Sequence, residues 1–239
     1  MVELIVEGEP NVYQPPIIHS VSNQLVDQLK VEMTVQSAGL EIRYTVNGKT
    51  PTMDSALYTR PLTLYNSADI IARCFHNGKA VTSIARRSFK KVVPTPAAAV
   101  IDPQPGLRLR IFKGEWDQVP DFDAMKPSQT GVAQSIGLPP GATNEYEGRI
   151  FDGYLTAPTT GLYRFSLTSD DGSRMWLDGR MLIDLDGLHG SETKEATAAL
   201  SAGPHAVRIE YFNKTGGAAL NLQMSEVTQP WRTASGLYH

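Results

Sequence analysis

The chain has 239 residues, of which 41% are hydrophobic and 20% are charged, and its formal net charge is −3 at pH 7. This length allows two ordinary domains with their own cores, and the charge balance lacks the basic surface of a nucleic-acid-binding protein. The single cysteine, Cys74, excludes an intramolecular disulfide, and no apolar stretch is long enough to insert into a membrane. We therefore expect neither nucleic acid nor a bilayer as a partner.

The N-terminal third predicts short strands after an initial segment. Residues 1–14 are expected to be a linker from an upstream domain that this chain does not contain. Alternating apolar and polar residues then predict strands at 31–35, 42–46, 62–65, 70–75 and 85–89. This number of short strands is typical of a small immunoglobulin-like sandwich, which we place at residues 15–93.

A proline-rich segment follows the first predicted domain. Residues 94–105 contain Pro94, Pro96, Pro103 and Pro105, which lack the backbone N–H that strand pairing requires. The sequence therefore predicts a linker at 94–105.

The second predicted domain covers residues 106–227 and is followed by a tail at 228–239. Asp178-Gly179 separates two apolar runs, which is typical of a tight β-hairpin. Further turns at 201–204 and at Gly216-Gly217 suggest antiparallel meander connections. The whole chain is thus predicted to be all-β, with a small sandwich followed by a larger one.

The first domain contains a group of motifs in a fixed order. Tyr44 precedes the Asn47-Gly48 turn, Pro51-Thr52 follows, and Leu57-Tyr58-Thr59-Arg60-Pro61 begins the next segment. This order resembles the C-terminal domain of chitobiase and β-hexosaminidases, with Asn47 replacing a commoner acidic turn residue. The resemblance implies an immunoglobulin-like accessory domain without chemistry of its own.

The second domain contains a longer series of motifs. They are Trp116-Asp117, Tyr163-x-Phe165, Ser169-Asp170-Asp171-Gly172-Ser173, Asp178-Gly179, Asp186-Gly187-Leu188-His189-Gly190 and Glu210-Tyr211-Phe212. Their order resembles the fourteen-kilodalton protective-antigen domain, known as PA14. The resemblance implies a β-sandwich of the kind attached to exported glycosidases, adhesins and toxins.

The same resemblance implies a calcium-dependent glycan site. In the adhesins of that family, two successive aspartates joined by a cis peptide hold Ca²⁺, which binds vicinal sugar hydroxyls. Asp170 and Asp171 match that pair, and Asn213 is the candidate third ligand by its position. His189 is expected to border the carbohydrate, and Ca²⁺ is the expected cofactor because it accepts six to eight oxygen ligands.

A structural interpretation of the same residues remains open. Asp170 and Asp171 could form an ordinary tight turn, in which aspartates accept backbone N–H groups and Gly172 tolerates positive φ. The segment from Asp184 resembles a calcium loop only superficially, because His189 occupies the required glycine position and Leu188 a ligand position.

Aromatic residues supply a further set of candidates. Trp116, Tyr146 and Trp231 could stack on sugar rings, because the C–H faces of sugars pack against aromatic surfaces. For Trp116 and Trp176 we expect core packing instead.

These observations predict a non-catalytic accessory region of an exported glycoside hydrolase, with periplasmic, cell-surface or extracellular localisation. The resemblances suggest a β-N-acetylhexosaminidase parent, with glycans or oligosaccharides and the upstream catalytic domain as partners. Alternatives are a structural or oligomerisation module, and an accessory region of another exported glycosidase such as a fucosidase. A third is glycan hydrolysis by carboxylates such as Asp121, Asp123 and Glu145, if they converge.

Overall fold

The computed structural model describes residues 13–139, 141, 144–234 and 236–238, so most of the predicted N-terminal linker lies outside the described residues. The regular secondary structure of the described residues comprises β-strands and a single short 3₁₀ turn. It forms two compact units, the first ending at Val92 and the second beginning at Val93. None of the helical structure in these residues is long and apolar enough to cross a membrane. The prediction of an all-β chain is confirmed.

The first unit is built from strands β1 to β9. They are β1 Ile17–His19, β2 Gln24–Leu25, β3 Leu29–Thr34, β4 Glu41–Thr45, β5 Ala56–Leu57, β6 Leu62–Leu64, β7 Ala68–His76, β8 Lys79–Ala80 and β9 Ala85–Lys91. In β3 the side chains alternate between buried and exposed, as its sequence LKVEMT requires when one face of a sheet is covered.

Two sheets enclose the core of the first unit. Within the described residues, one sheet has the order β1-β3-β6, and the other has the order β2-β9-β7-β4-β5 with β8 beside β7. Val31, Ile70, Cys74 and Phe89 belong to the buried cluster, which draws on both sheets. The strands predicted in this part of the sequence are all present.

The second unit contains strands β10 to β21. They are β10 Gln104–Pro105, β11 Leu107–Lys113, β12 Gln129–Ala133, β13 Glu147–Ala157, β14 Gly161–Asp170, β15 Ser173–Leu177, β16 Arg180–Leu185, β17 Glu192–Leu200, β18 Gly203–Asn213, β19 Ala219–Glu226, β20 Arg232–Thr233 and β21 Gly236–Tyr238. The 3₁₀ turn Phe122–Ala124 lies between β11 and β12.

These strands form a β-sandwich. Over the described residues, the larger sheet has the order β10-β21-β13-β18-β15-β16, with β11 beside β13 and β12 beside β11. The smaller sheet has the order β17-β14-β19-β20. Phe151 and Ile209 from the larger sheet join Phe165 and Leu222 from the smaller sheet in one buried cluster. The prediction of a second β-sandwich is confirmed.

The turns of this sandwich agree only partly with the sequence analysis. The predicted hairpin joins β15 to β16, and Asp178 and Gly179 adopt positive φ values of 49° and 74°. The predicted meander is wrong, because β17 and β18 lie in different sheets, as do β18 and β19. Turn residues indicate that the chain changes direction, but burial of apolar faces from both sheets decides which strands become neighbours.

The proline-rich segment and the C-terminal tail are also parts of the second unit. Thr95 forms a parallel bridge to Leu200, and β10 pairs with β21 at the sheet edge. β20 pairs with β19, and β21 also pairs with β13. The prediction that 94–105 is a linker and 228–239 a tail therefore needs correction. Proline is compatible with an edge strand, where one side of the backbone needs no partner.

Candidate functional site

The predicted acidic pair lies where the chain crosses from one sheet to the other. Asp170 ends β14 of the smaller sheet, and Ser173 begins β15 of the larger sheet. Asp171 and Gly172 therefore span the rim of the sandwich. The peptide bond between Asp170 and Asp171 is cis. Ser173 Oγ donates a hydrogen bond of 2.8 Å to Ser169 Oγ, which joins the two strands behind the acidic pair.

Gly172 is required here by a close approach of two backbone segments. It does not adopt positive φ, so the turn does not use the conformational freedom that the structural interpretation allowed. A Cβ on Gly172 would lie 2.8 Å from the Gly187 nitrogen and 2.6 Å from Cε1 of Phe212. The missing side chain thus lets the loop of residues 186–190 pack directly against the acidic turn.

Asp171 is buried, and its carboxylate connects two loops. Oδ1 accepts a 3.1 Å hydrogen bond from the backbone N–H of His189, and Oδ2 accepts a 2.9 Å bond from that of Lys214. The donors are 18 and 43 residues away in sequence, so the bonds are tertiary contacts. Each carboxylate oxygen has about two acceptor positions, so these bonds use only part of its capacity.

Asp170 has a different environment. Its main-chain oxygen accepts a 2.7 Å hydrogen bond from Tyr211 Oη, but none of the described residues donates a hydrogen bond to its carboxylate. Burial raises the pKa of the Asp170 carboxyl, and the adjacent charge of Asp171 raises it further, while His189 opposes the shift. Oδ2 lies 2.7 Å from the point where a Cβ on Gly217 would stand. A carboxylate in these surroundings is stabilised by a cation.

Asn213 lies between two residues that contact the acidic pair. It ends β18 and is fully buried. Alternation along β18 places the Asn213 side chain on the same face as that of Tyr211, which donates a hydrogen bond to Asp170. The residue after Asn213 is Lys214, whose N–H binds Asp171. The predicted residues Asp170, Asp171 and Asn213 are therefore brought to the same end of the sandwich.

His189 borders the acidic pair through its backbone. Its ring nitrogens Nδ1 and Nε2 lie 2.7 Å from Gly190 O and 3.1 Å from Leu185 O. Partial burial opposes protonation, but these hydrogen bonds raise the pKa of His189 above its ordinary value. Both ring nitrogens face main-chain carbonyl oxygens and neither is directed at the acidic pair, so His189 organises the loop.

A third loop completes the surroundings. Tyr146 donates its N–H to Lys214 O at 2.9 Å, and Glu145 Oε1 accepts the Gly216 N–H at 3.1 Å. The Tyr146 side chain is 44% exposed. Of the predicted aromatic platforms, Tyr146 is thus connected to the loop that binds Asp171.

The tryptophans have other positions. Trp116 packs edge-on against Phe122, with ring centroids 5.5 Å apart, which agrees with predicted core packing. The guanidinium of Arg164 lies 4.1 Å from the centroid of Trp231. Trp176 is not in the core, because its neighbours Met175 and Leu177 face inward and it occupies the opposite face. Strand alternation in the sequence already carried this signal.

Two of the carboxylates considered for hydrolysis, Asp123 and Glu145, are engaged with different partners. Asp123 binds Arg208 and Arg110, and the hydrogen bond from Arg208 lowers its pKa despite some burial. A general acid in a glycosidase requires a raised pKa. Glu145 instead binds the Gly216 amide. Over the residues that the structure describes, no three His, Cys, Asp or Glu side chains are grouped as a metal site. A site at Asp170 and Asp171 therefore needs the amide oxygen of Asn213 or other oxygen ligands.

Comparison with known families identifies both units. Residues 103–236 match the PA14 domain, more than half of the chain, and the chain belongs to this family. Residues 21–85 match the chitobiase/beta-hexosaminidase C-terminal domain. Both predicted resemblances are confirmed.

Comparison with individual proteins gives one curated relative and several solved structures. The chain is 26% identical over 200 residues to a beta-hexosaminidase of Porphyromonas gingivalis, a match covering 80% of this chain and 25% of the relative. The chain thus matches about a quarter of that protein. The PA14 domain of the MpAFP antifreeze protein has a TM-score of 0.50 and 16% identity, covering 59% of this chain and 94% of that domain. The PA14 sugar-binding domain of an RTX adhesin has a TM-score of 0.49 and 16% identity, covering 56% and 98%. The first of these structures supports the sandwich fold.

Proposed function

We propose that this chain is a non-catalytic accessory region that retains an exported glycoside hydrolase on its glycan substrate. The PA14 unit binds the glycan through Ca²⁺ held by Asp170, Asp171 and Asn213. The parent enzyme is a β-N-acetylhexosaminidase in this proposal. Its support is the pair of family matches together with the beta-hexosaminidase relative.

The contrast between two adjacent carboxylates carries the proposal. Asp171 is held by backbone amides from two loops, whereas the Asp170 carboxylate lies beside it without a donor from the described residues. Holding one carboxylate fixes the geometry of the site, and the other retains its acceptor positions for a ligand. Burial raises the pKa of the Asp170 carboxyl, the neighbouring charge of Asp171 raises it further, and a divalent cation would offset this cost of the charged form.

The chemistry of the side chains fits calcium. Two carboxylates and an amide side chain offer hard oxygen ligands, and Ca²⁺ accepts more ligands than these three residues supply. When bound, the ion would leave positions for the vicinal hydroxyls of a sugar. The chain's own residues would orient that sugar, with the exposed Tyr146 ring as an aromatic surface on the connected loop.

Retention is the mechanism by which such a unit would help an enzyme. A tethered binding unit raises the effective concentration of the catalytic domain near a polymeric substrate, so a modest affinity is sufficient. The exported localisation belongs to the same proposal, because polymeric glycans of this kind are met outside the cytoplasm. Periplasmic, cell-surface and extracellular positions all satisfy it.

One observation favours a second candidate, which is a purely structural unit. The hydrogen bonds of Asp171 join three segments of the sandwich rim, so the acidic turn contributes to folding with or without a ligand. Calcium binding and glycan binding distinguish the two candidates.

The test uses Asp170→Asn, with Asp121→Asn as the control. Calorimetric titration should show calcium binding to the parent chain and to Asp121→Asn, which changes an exposed acidic residue that is not a proposed ligand. Asp170→Asn should lose this binding and should also lose calcium-dependent retention on a glycan array. Without calcium, Asp170→Asn should unfold at a higher temperature than the parent at pH 7.

The sign of that stability change follows from the pKa. A carboxyl whose pKa is raised on folding is disfavoured in its charged form, so it costs stability as the pH rises from its unfolded value through its folded value. Removing the charge recovers this cost at neutral pH. Calcium binding that survives in Asp170→Asn would refute the proposed ligand set, and glycan-array binding unaffected by a chelator would refute the role of the ion.

A further inference from the structure

A groove lined by charged and aromatic side chains crosses the outer face of the larger sheet, on the side away from the sandwich core. Strand register aligns Arg108 of β11, Asp152 of β13, Arg208 of β18, Trp176 of β15 and Met181 of β16 in one row. Directly paired residues on adjacent strands project from the same face. The row therefore spans five neighbouring strands and ends at a half-exposed methionine.

The 3₁₀ turn forms a wall of this groove. Asp123 binds Arg110 at 3.0 Å and Arg208 at 2.8 Å, so the turn is held over the sheet by two ion pairs. The groove has a volume of about 560 Å³, and its lining includes Trp176, Tyr154 and Gly179. This volume lies within the range of small-molecule sites in proteins.

The charged groups of the groove are held in place by one another. Arg208 binds Glu210 at 2.6 Å and Asp123 at 2.8 Å, and Arg110 binds Asp152 at 3.0 Å. Positive and negative side chains therefore alternate, and neither a polyanion nor a polycation is favoured. The charged side chains of the groove already hold fixed positions. A ligand that both donates and accepts hydrogen bonds can therefore bind them without a change in their conformation.

The groove is separate from the acidic turn. Trp176 is three residues beyond Ser173, which is about 10 Å along an extended strand. Trp176 faces away from the core, whereas Tyr211, the contact of Asp170, belongs to the core cluster. None of the groove residues used here is a proposed calcium ligand.

We propose that this groove is a second, metal-independent binding site for a neutral oligosaccharide. The indole of Trp176 would stack on the apolar face of a pyranose ring, as aromatic side chains do in sugar sites. Arg208 would donate to ring hydroxyls, while Asp152 and Glu210 would accept from them. A flat, β-1,4-linked chain fits a row of side chains that extends across neighbouring strands.

The experiment follows the indole N–H resonances of the full chain by NMR in the presence of a chelator. Cellohexaose and chitohexaose are the probes, and Trp176→Phe assigns the Trp176 signal among the three tryptophans of the sequence. At probe concentrations up to about 10 mM, at least one probe should shift the Trp176 signal saturably. The Trp116 and Trp231 signals should stay unchanged.

Variants separate this site from the calcium site and from unfolding. Asp152→Asn keeps the shape of the side chain and should weaken probe binding about tenfold by removing charged hydrogen bonds. Tyr65→Ala removes an exposed aromatic residue of the first unit and should bind as the parent does. Asp170→Asn should also bind as the parent does, so this proposal and the calcium proposal can fail independently.

Two results would overturn the inference. One is the absence of a saturable Trp176 shift with both probes. The other is a shift that Asp152→Asn leaves unchanged while its amide spectrum remains that of a folded protein.

Discussion

Two polar turns, one in each unit, use similar residues in different ways. In the first unit, Asn47 Oδ1 accepts the N–H of Lys49 at 3.2 Å, and Gly48 adopts a positive φ of 77°. In the second unit, Asp171 accepts N–H groups from His189 and Lys214, and Gly172 has no positive φ. The side chain of Asn47 thus serves its own turn, whereas that of Asp171 holds two distant loops.

This difference shows how a turn becomes a candidate site. The first turn is closed by its own side chain, and only its backbone, through the Gly48 N–H bonded to Asp69 O, contacts a distant strand. In the second turn, the Asp171 carboxylate binds the amides of two distant loops and so holds these loops together. The neighbouring Asp170 carboxylate then lies beside loops with fixed positions. The second arrangement supplies the rigid surroundings that a ligand site requires.

The largest expected effect is the loss of stability in Gly172→Ala, which we compare with Gly48→Ala. Gly172→Ala should lower the free energy of unfolding of the second unit by about 3 kcal/mol, because its Cβ would meet the Gly187 backbone and the Phe212 ring. Gly48→Ala should cost only about 1 kcal/mol in the first unit, because its Cβ meets ordinary contacts and only φ is strained. Chemical denaturation of both variants measures the difference. Equal losses of unfolding free energy in the two variants would mean that the close backbone approach at Gly172 constrains the chain no more than the positive φ at Gly48.

The next effect concerns the clamp formed by Asp171. Asp171→Asn replaces one carboxylate oxygen by an N–H₂ group, which then faces a backbone N–H of His189 or Lys214. The unpaired donors should destabilise the second unit by about 1–3 kcal/mol. Calorimetric unfolding without calcium measures this loss, with Asp121→Asn as the control. An unchanged unfolding temperature would mean that the amides of the two loops are satisfied in another way.

The smallest effect is expected for the local turn. Asn47→Ala removes one hydrogen bond from an exposed turn and should change the stability of the first unit by no more than about 0.5 kcal/mol. The same denaturation measurement applies. A loss as large as that of Asp171→Asn would contradict the contrast between local and tertiary turns.

Much of the fold could be predicted because the signals are local. Alternation in Leu29–Thr34 identifies a strand with one covered face, and Asp178-Gly179 identifies a hairpin through its positive φ angles. The connections from β17 to β18 and from β18 to β19 could not be predicted in this way. Their turn residues are compatible with either sheet, and the choice depends on the partners of the buried faces.

In the candidate site, too, some features could be predicted from the sequence and others depend on tertiary contacts. The resemblance to PA14 domains pointed to Asp170, Asp171, Asn213 and His189, and their ligand roles stay predictions. Sequence patterns did not distinguish the two aspartates, because the donors to Asp171 come from residues 18 and 43 positions away. The outward position of Trp176 was readable from alternation, but the ion pairs around it depend on the 3₁₀ turn.

Residue patterns alone specify the all-β class and the order of the two family domains, and they point to Asp170, Asp171 and Asn213 as oxygen ligands whose calcium binding stays a prediction. The tertiary structure alone decided that the proline-rich segment and the tail belong to the second unit, and that Asp171 is bound by amides while Asp170 is not. The physical reason is the range of the interactions. Strand alternation and turn angles depend on adjacent residues, whereas sheet order and the pKa of Asp170 depend on groups that only the folded sandwich brings together.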